Sequence, residues 1–157
     1  MNPGFSLGTF VLLNNKHMKT TNEITKWGTR SVSFWMTMPI ALGIIFVGVR
    51  FITNPTVAAT DFGIPFSNIH DVAFGRIKGI RDIFSGVALL PLLFLKMRRA
   101  TAFVFTAAII TPIADCLIVL VTNGPDIQHM LVHGLTALYM MITSFLLFRV
   151  KHNSALQ

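Results

Sequence analysis

Four apolar runs, at about residues 32–51, 79–95, 100–122 and 127–148, constrain this chain more than anything else in it, because each is near the length that crosses a bilayer. A hydrocarbon core of about 30 Å takes roughly 20 helical residues at 1.5 Å apiece. Backbone amides and carbonyls must be paired within lipid, so such runs fold as helices. Only 12% of the 157 residues are charged and 53% are hydrophobic, which excludes an ordinary soluble domain. The expected fold is all-α: a polytopic membrane protein whose domain, residues 32–149, is a four-transmembrane-helix bundle with a long capping loop between helices one and two. Residues 150–157 read as a cytoplasmic tail.

The charge pattern supports the same class. Thirteen Lys and Arg against six Asp and Glu give a net charge of +7, which in a soluble protein would suggest nucleic acid. Here the cations flank the apolar runs, and no nucleic-acid partner is expected. Lys16, Lys19, Lys26, Arg30, Lys96, Arg98, Arg99, Arg149 and Lys151 fall on one side of a four-span bundle, and Arg50, Arg76, Lys78 and Arg81 on the other. The excess of positive charge places both termini in the cytoplasm of a bacterial inner or cell membrane. The single cysteine, Cys116, lies in an apolar run and reads as a small buried hydrophobe.

Residues 1–31 form a basic tail, interfacial or disordered. Its apolar stretch Phe5 to Leu13 is too short to span and lacks the basic n-region of a signal peptide. Trp27, Phe34 and Trp35 stand where an interfacial aromatic belt would. Residues 52–78 are too apolar for a solvated loop, with Val57, Ala58, Ala59, Phe62, Ile64 and Phe66 among them. They read as a cap over one mouth of the bundle, punctuated by Pro55, Gly63 and Pro65, with a short amphipathic helix from Ser67 to Phe74. Asp61, His70 and Asp71 then lie near that mouth.

Candidate chemistry rests on ionisable residues inside the runs. An Asp at the centre of a membrane helix costs roughly 2.5 to 3.5 kcal/mol on insertion scales, so it calls for a partner, a cavity or a task. Asp82 follows Arg81 at the head of a run, and Gly75, Gly79, Asp82 and Gly86 make a stripe that lets a neighbouring helix approach. Asp115 lies one turn after Pro112, which breaks the hydrogen-bond ladder there. His129 and His133 are adjacent on the last helix. Arg50 ends the first helix on a face that can turn inward, or snorkel to the headgroups. Counting depth at 1.5 Å per residue puts Asp82, Asp115 and His133 roughly 5 to 10 Å below the outer surface, under the cap.

Asp82, Asp115, Arg81 and His133 are therefore the candidate catalytic groups, and Arg50, Asp61, Phe62 and His129 the candidate ligand contacts. The same charges could instead serve only to lock the helices in register through ion pairs. His129, His133 and Asp115 also make a common metal-ligand set, but H-x-x-x-H spacing often arises by chance, and no metal or cofactor is expected. Nucleophile elbow, phosphate-cradling loop, CxxC and haem motifs are all absent from the sequence.

The order Arg50, Pro55, Ala58, Ala59, Phe62, Gly63, Pro65, then Gly79, Ile80, Arg81, Asp82, Gly86, then Pro112, Asp115, Gly124, His133, Gly134 resembles a family of small four-helix membrane proteins. That family is a domain of unknown function in the wider DoxX-like neighbourhood, and the similarity covers about residues 35 to 150. The resemblance implies the four-helix fold and the membrane location, and supplies no chemistry.

The expected function is an outward-facing buried polar pocket that binds or processes a small lipophilic molecule, with isomerisation, cyclisation or epoxide opening as acid-base chemistries open to it. The competing class is a non-enzymatic scaffold, accessory subunit or small proton-coupled transporter. Expected partners are the lipid bilayer, a small lipophilic ligand and a second copy in a homodimer.

Overall fold

The computed structural model describes residues 27–149, so the basic tail up to residue 26 and residues 150–157 lie outside the described residues. Among those described there are six helices and no strand: α1 Val32–Thr53, α2 Pro55–Phe62, α3 Ile69–Phe94, α4 Arg98–Ala108, α5 Ile110–Asn123 and α6 Ile127–Phe148. Three helical stretches are long and apolar enough to cross a membrane: α1, the continuous pair α4 and α5, and α6. At 26 residues α3 matches the longest of these in length. It is set apart by the charges Arg76, Lys78, Arg81 and Asp82 along it.

The expected long loop over 52–78 is a correction, since most of it is helix. Pro55 starts α2, where its fixed φ suits a first turn and its missing N–H leaves no bond unmade. Asn68 then caps α3 by accepting from the His70 amide at 2.9 Å, while the Asp71 carboxylate accepts from the amides of Ser67 and Asn68. This reciprocal cap fixes the start of α3 ten residues ahead of the expected 79. Only Asn54 and residues 63–68 remain as connection.

Gly75 and Gly79 do not break α3 because each faces a close neighbour. A Cβ on Gly79 would come within 2.6 Å of the Gly48 carbonyl on α1, and one on Gly48 within 2.5 Å of the Gly79 carbonyl. Gly86 meets the Ala41 carbonyl in the same way. The small-residue stripe thus joins α3 to α1 with backbones nearly touching. The third apolar run is divided at Ile109 into two helical segments that follow directly on one another, in place of one unbroken helix over 100–122. Pro112 withholds the amide that would bond Ala108, and the next bond, Ile113 N–H to the Ile109 carbonyl, is stretched to 3.4 Å.

Side-chain contacts sort the chain into two ends. At one, Trp27 is buried, donates to Ser33 Oγ at 3.0 Å and stands edge-on to Phe34, while the Lys96 stem lies over Gly28. Arg98 reaches across to donate to the carbonyls of Leu147, Leu146 and Arg149, closing the end of α6. The main core fills this half with Phe34, Ala41, Leu93, Phe105, Met140 and Leu147. Only Trp35 of the expected aromatic belt is exposed; Trp27 and Phe34 belong to the core. At the other end α2 packs Ala58 and Ala59 against Phe51, with Phe62 and Phe66 around them. The outer surface is apolar along its length, with Phe46, Phe84, Val121 and Phe145 each more than 60% exposed. A surface of this kind calls for lipid as its solvent.

Candidate functional site

The end of α2 is the keystone of the polar region. Helix C-termini leave carbonyls without intrahelical partners, and here two of them are claimed by other helices. His133 Nε2, from α6, meets the Phe62 carbonyl at 3.0 Å, and Asn123 Nδ2, from α5, donates to the Gly63 carbonyl. The first contact makes Nε2 the protonated nitrogen of His133, leaving Nδ1 free to accept when the ring is neutral. Gly63 has φ +101°, the left-handed region, and a Cβ there would strike the His129 ring at 2.8 Å. Both the turn and the approach of α6 thus need glycine.

Beneath this cap sits Lys78. Its Nζ lies 2.5 Å from Asp82 Oδ2, one helical turn away, and 4.7 and 4.8 Å from the ring centroids of Phe51 and Phe62. The Asp82 side chain is only 11% exposed and that of Lys78 31%. An ammonium held between two aromatic faces and a carboxylate is well satisfied. Phe62 also stands edge-on to the His133 ring, centroids 4.6 Å apart. Asp115 faces this group from α5, half-buried, with Lys78, His133 and Asp82 all within electrostatic reach. No hydrogen bond to its carboxylate is formed among the described residues.

Asp82, Asp115 and His133, from three helices, therefore come together, and Phe62 joins them. Arg81 does not. Its side chain is exposed on the outer face of α3, about 100° around the helix from Asp82, so the expected Arg81 and Asp82 pairing is replaced by Lys78 and Asp82. Arg50 and Asp61 form their own pair at 2.5 Å, bridging the ends of α1 and α2 with side chains 36% and 52% exposed. Both lie at the rim. His129 bonds Asp126 at 2.7 Å instead of joining His133. That bond is the main reason the Asp126 carboxyl lies below its ordinary range. With His129 so engaged, no three His, Cys, Asp or Glu among the described residues are grouped to hold a metal ion.

Lys78 is the residue that sequence reasoning missed. The signal was its four-residue spacing from Asp82, which stacks the two on one helix face. Two shallow grooves lie elsewhere: one at Leu117, Ile118, Val121 and Thr122, the other, about 430 Å³, along Met130, Leu131, Gly134 and Leu138. Both are apolar, and neither is lined by a member of the polar cluster.

Residues 41–147 match the family described as a domain of unknown function (DUF4267). The chain belongs to that family. The match begins inside α1 at Ala41 and ends at Leu147, so it takes in α2, α3 and every member of the polar cluster. No curated protein and no solved structure matches the chain.

Proposed function

We propose that this protein crosses the membrane four times, with α3 as the second span, and binds a small lipophilic molecule by its polar head at Asp115 and His133. The observation that carries the reading is an unpartnered carboxyl beneath α2. Lys78 and Asp82 neutralise each other, and the Asp115 carboxyl among apolar helices has no ion pair or hydrogen bond of its own among the described residues. A low-dielectric site strongly favours filling such a position with a proton, a hydrogen-bond donor or a cation. Asp115 and His133 Nδ1 then form the pair suited to moving a proton on the bound head group, which keeps isomerisation, cyclisation or epoxide opening open. The Lys78 and Asp82 pair, held between Phe51 and Phe62, has a structural part in this reading. The positive-inside pattern supports cytoplasmic termini, with α2 and the site toward the opposite surface.

A second reading, a scaffold or accessory subunit whose charges only lock helices together, draws support from how fully Lys78 is partnered. Purified wild type, Asp115→Asn and Asp82→Asn separate the two when extracted small molecules are compared by mass spectrometry. Asp115→Asn should fold, with thermal stability close to wild type, and lose a co-purifying species. An unchanged set of species, or a variant that unfolds as readily as Asp82→Asn, would overturn the binding reading in favour of the scaffold.

A further inference from the structure

The stripe of α3 that faces away from the bundle runs through His70, Phe74, Ile77, Phe84 and Ala88, all exposed, with Arg81 at its middle. Phe84 is 72% and Ile77 52% exposed, so this is an apolar face carrying one cation. The buried face, Gly75, Gly79, Asp82, Gly86, Leu89 and Leu93, lies on the other side of the helix. Among the described residues Arg81 enters no ion pair. The nearby hydroxyl of Ser85 is occupied in donating to the Arg81 carbonyl at 2.9 Å.

We infer that Arg81 holds the phosphate of a phospholipid whose chains lie along this stripe. The inference rests on the reading of α3 as a span. If Lys96 marks one border of the hydrocarbon core, the other falls about 20 residues back, near Arg76, and Arg81 lies roughly 8 Å inside it. A guanidinium cannot be left bare at that depth, and its long stem lets it rise toward the headgroups. Phosphate is the anion available there, and its geometry matches the guanidinium fork. A second copy of the chain fits less well. A two-fold contact through this stripe would set Arg81 beside its own symmetry mate, with no acidic residue on the stripe to receive either. A lipid with a phosphodiester and no internal cation, such as phosphatidylglycerol, is the best complement.

Native mass spectrometry of the full chain in detergent, titrated with phosphatidylglycerol, tests this. Arg81→Met suits a lipid-facing position. It should fold and bind one fewer lipid, with the affinity of that site about five- to tenfold weaker. Arg81→Lys, which keeps the charge without the fork, should fall between wild type and Arg81→Met, and Lys96→Gln should leave this site unchanged. Equal binding by wild type and Arg81→Met overturns the inference, as does a wild-type dimer that Arg81→Met dissociates, or an Arg81→Met chain that cannot fold. Membrane-impermeant maleimide on Ile77→Cys and Phe84→Cys, in a Cys116→Ala background, tells this failure from the other. Labelling at both would remove α3 from the bilayer and sink the four-span reading, whereas protection with unchanged lipid binding would sink only the phosphate site.

Discussion

Lys78, Arg81 and Asp82 show how one helix sends neighbouring charges to different tasks. Successive residues turn by about 100°, so Arg81 cannot share a face with Asp82 whereas Lys78, four back, stacks directly over it. The sequence places a cation at both positions, and proximity along the chain favours the wrong one. Asp82→Asn should leave the Lys78 ammonium without its paired carboxylate, at a cost of about 2 to 4 kcal/mol given its partial exposure. Thermal unfolding in detergent would register this, and Lys78→Met combined with Asp82→Leu should recover most of the loss. Asp126 supplies a pH prediction. Its folded carboxyl is lowered by the His129 hydrogen bond from an ordinary 3.8. Its contribution is therefore complete above the unfolded value and disappears as pH falls below 3.8 through the folded value. Asp126→Asn should flatten that acid limb by lowering stability in the neutral region while leaving the most acidic values little changed.

At the level of helices, the legible features were those set by side-chain period and by proline. That another helix comes close to α3 was readable from Gly79 and Gly86, though not that it is α1, and the broken ladder before Asp115 from Pro112. The early start of α3 was harder. Asn68 and Asp71 are the residues of a reciprocal cap, but Gly75 and Gly79 after them look like punctuation until Gly48 and Phe66 are seen packed against them. Tertiary contact overrode local propensity there. Two substitutions probe this arrangement. Gly79→Leu would drive a branched side chain into the Gly48 carbonyl, so overpacking of at least 1 to 3 kcal/mol is expected, with loss of monodisperse protein on size exclusion. Asn68→Ala removes only the cap and should cost about 1 kcal/mol, visible as faster amide exchange at Ile69 to Val72 and unchanged elsewhere.

For the whole molecule, the question of four spans turns on α3. Its charges keep it from looking like a span, yet Lys78 and Asp82 neutralise each other against the bundle, which leaves Arg81 as the one cation of its middle that faces outward. Neutralising a pair inside the protein removes most of the insertion penalty that composition assigns to it. The contacts also alternate along the chain. Gly28 meets Lys96 at the end where Arg98 holds the carbonyls of α6 and Arg149, and Gly63 meets Asn123 and His129, on either side of the 124–126 turn, at the other. If α3 crosses, single cysteines at Pro65 and Pro125 should react with an impermeant maleimide from one side of a sealed vesicle, and one at Met97 only from the opposite side. If α3 instead lies along the surface, Pro65 and Met97 should react from the same side while Pro125 reacts from the other. That pattern would separate α2 from the 124–126 turn by the full membrane, which contradicts the bond from Asn123 to Gly63. The vesicle experiment thus tests the topology and the construction of the polar cluster together, because Phe62 and His133 can meet only if α3 returns the chain across the bilayer.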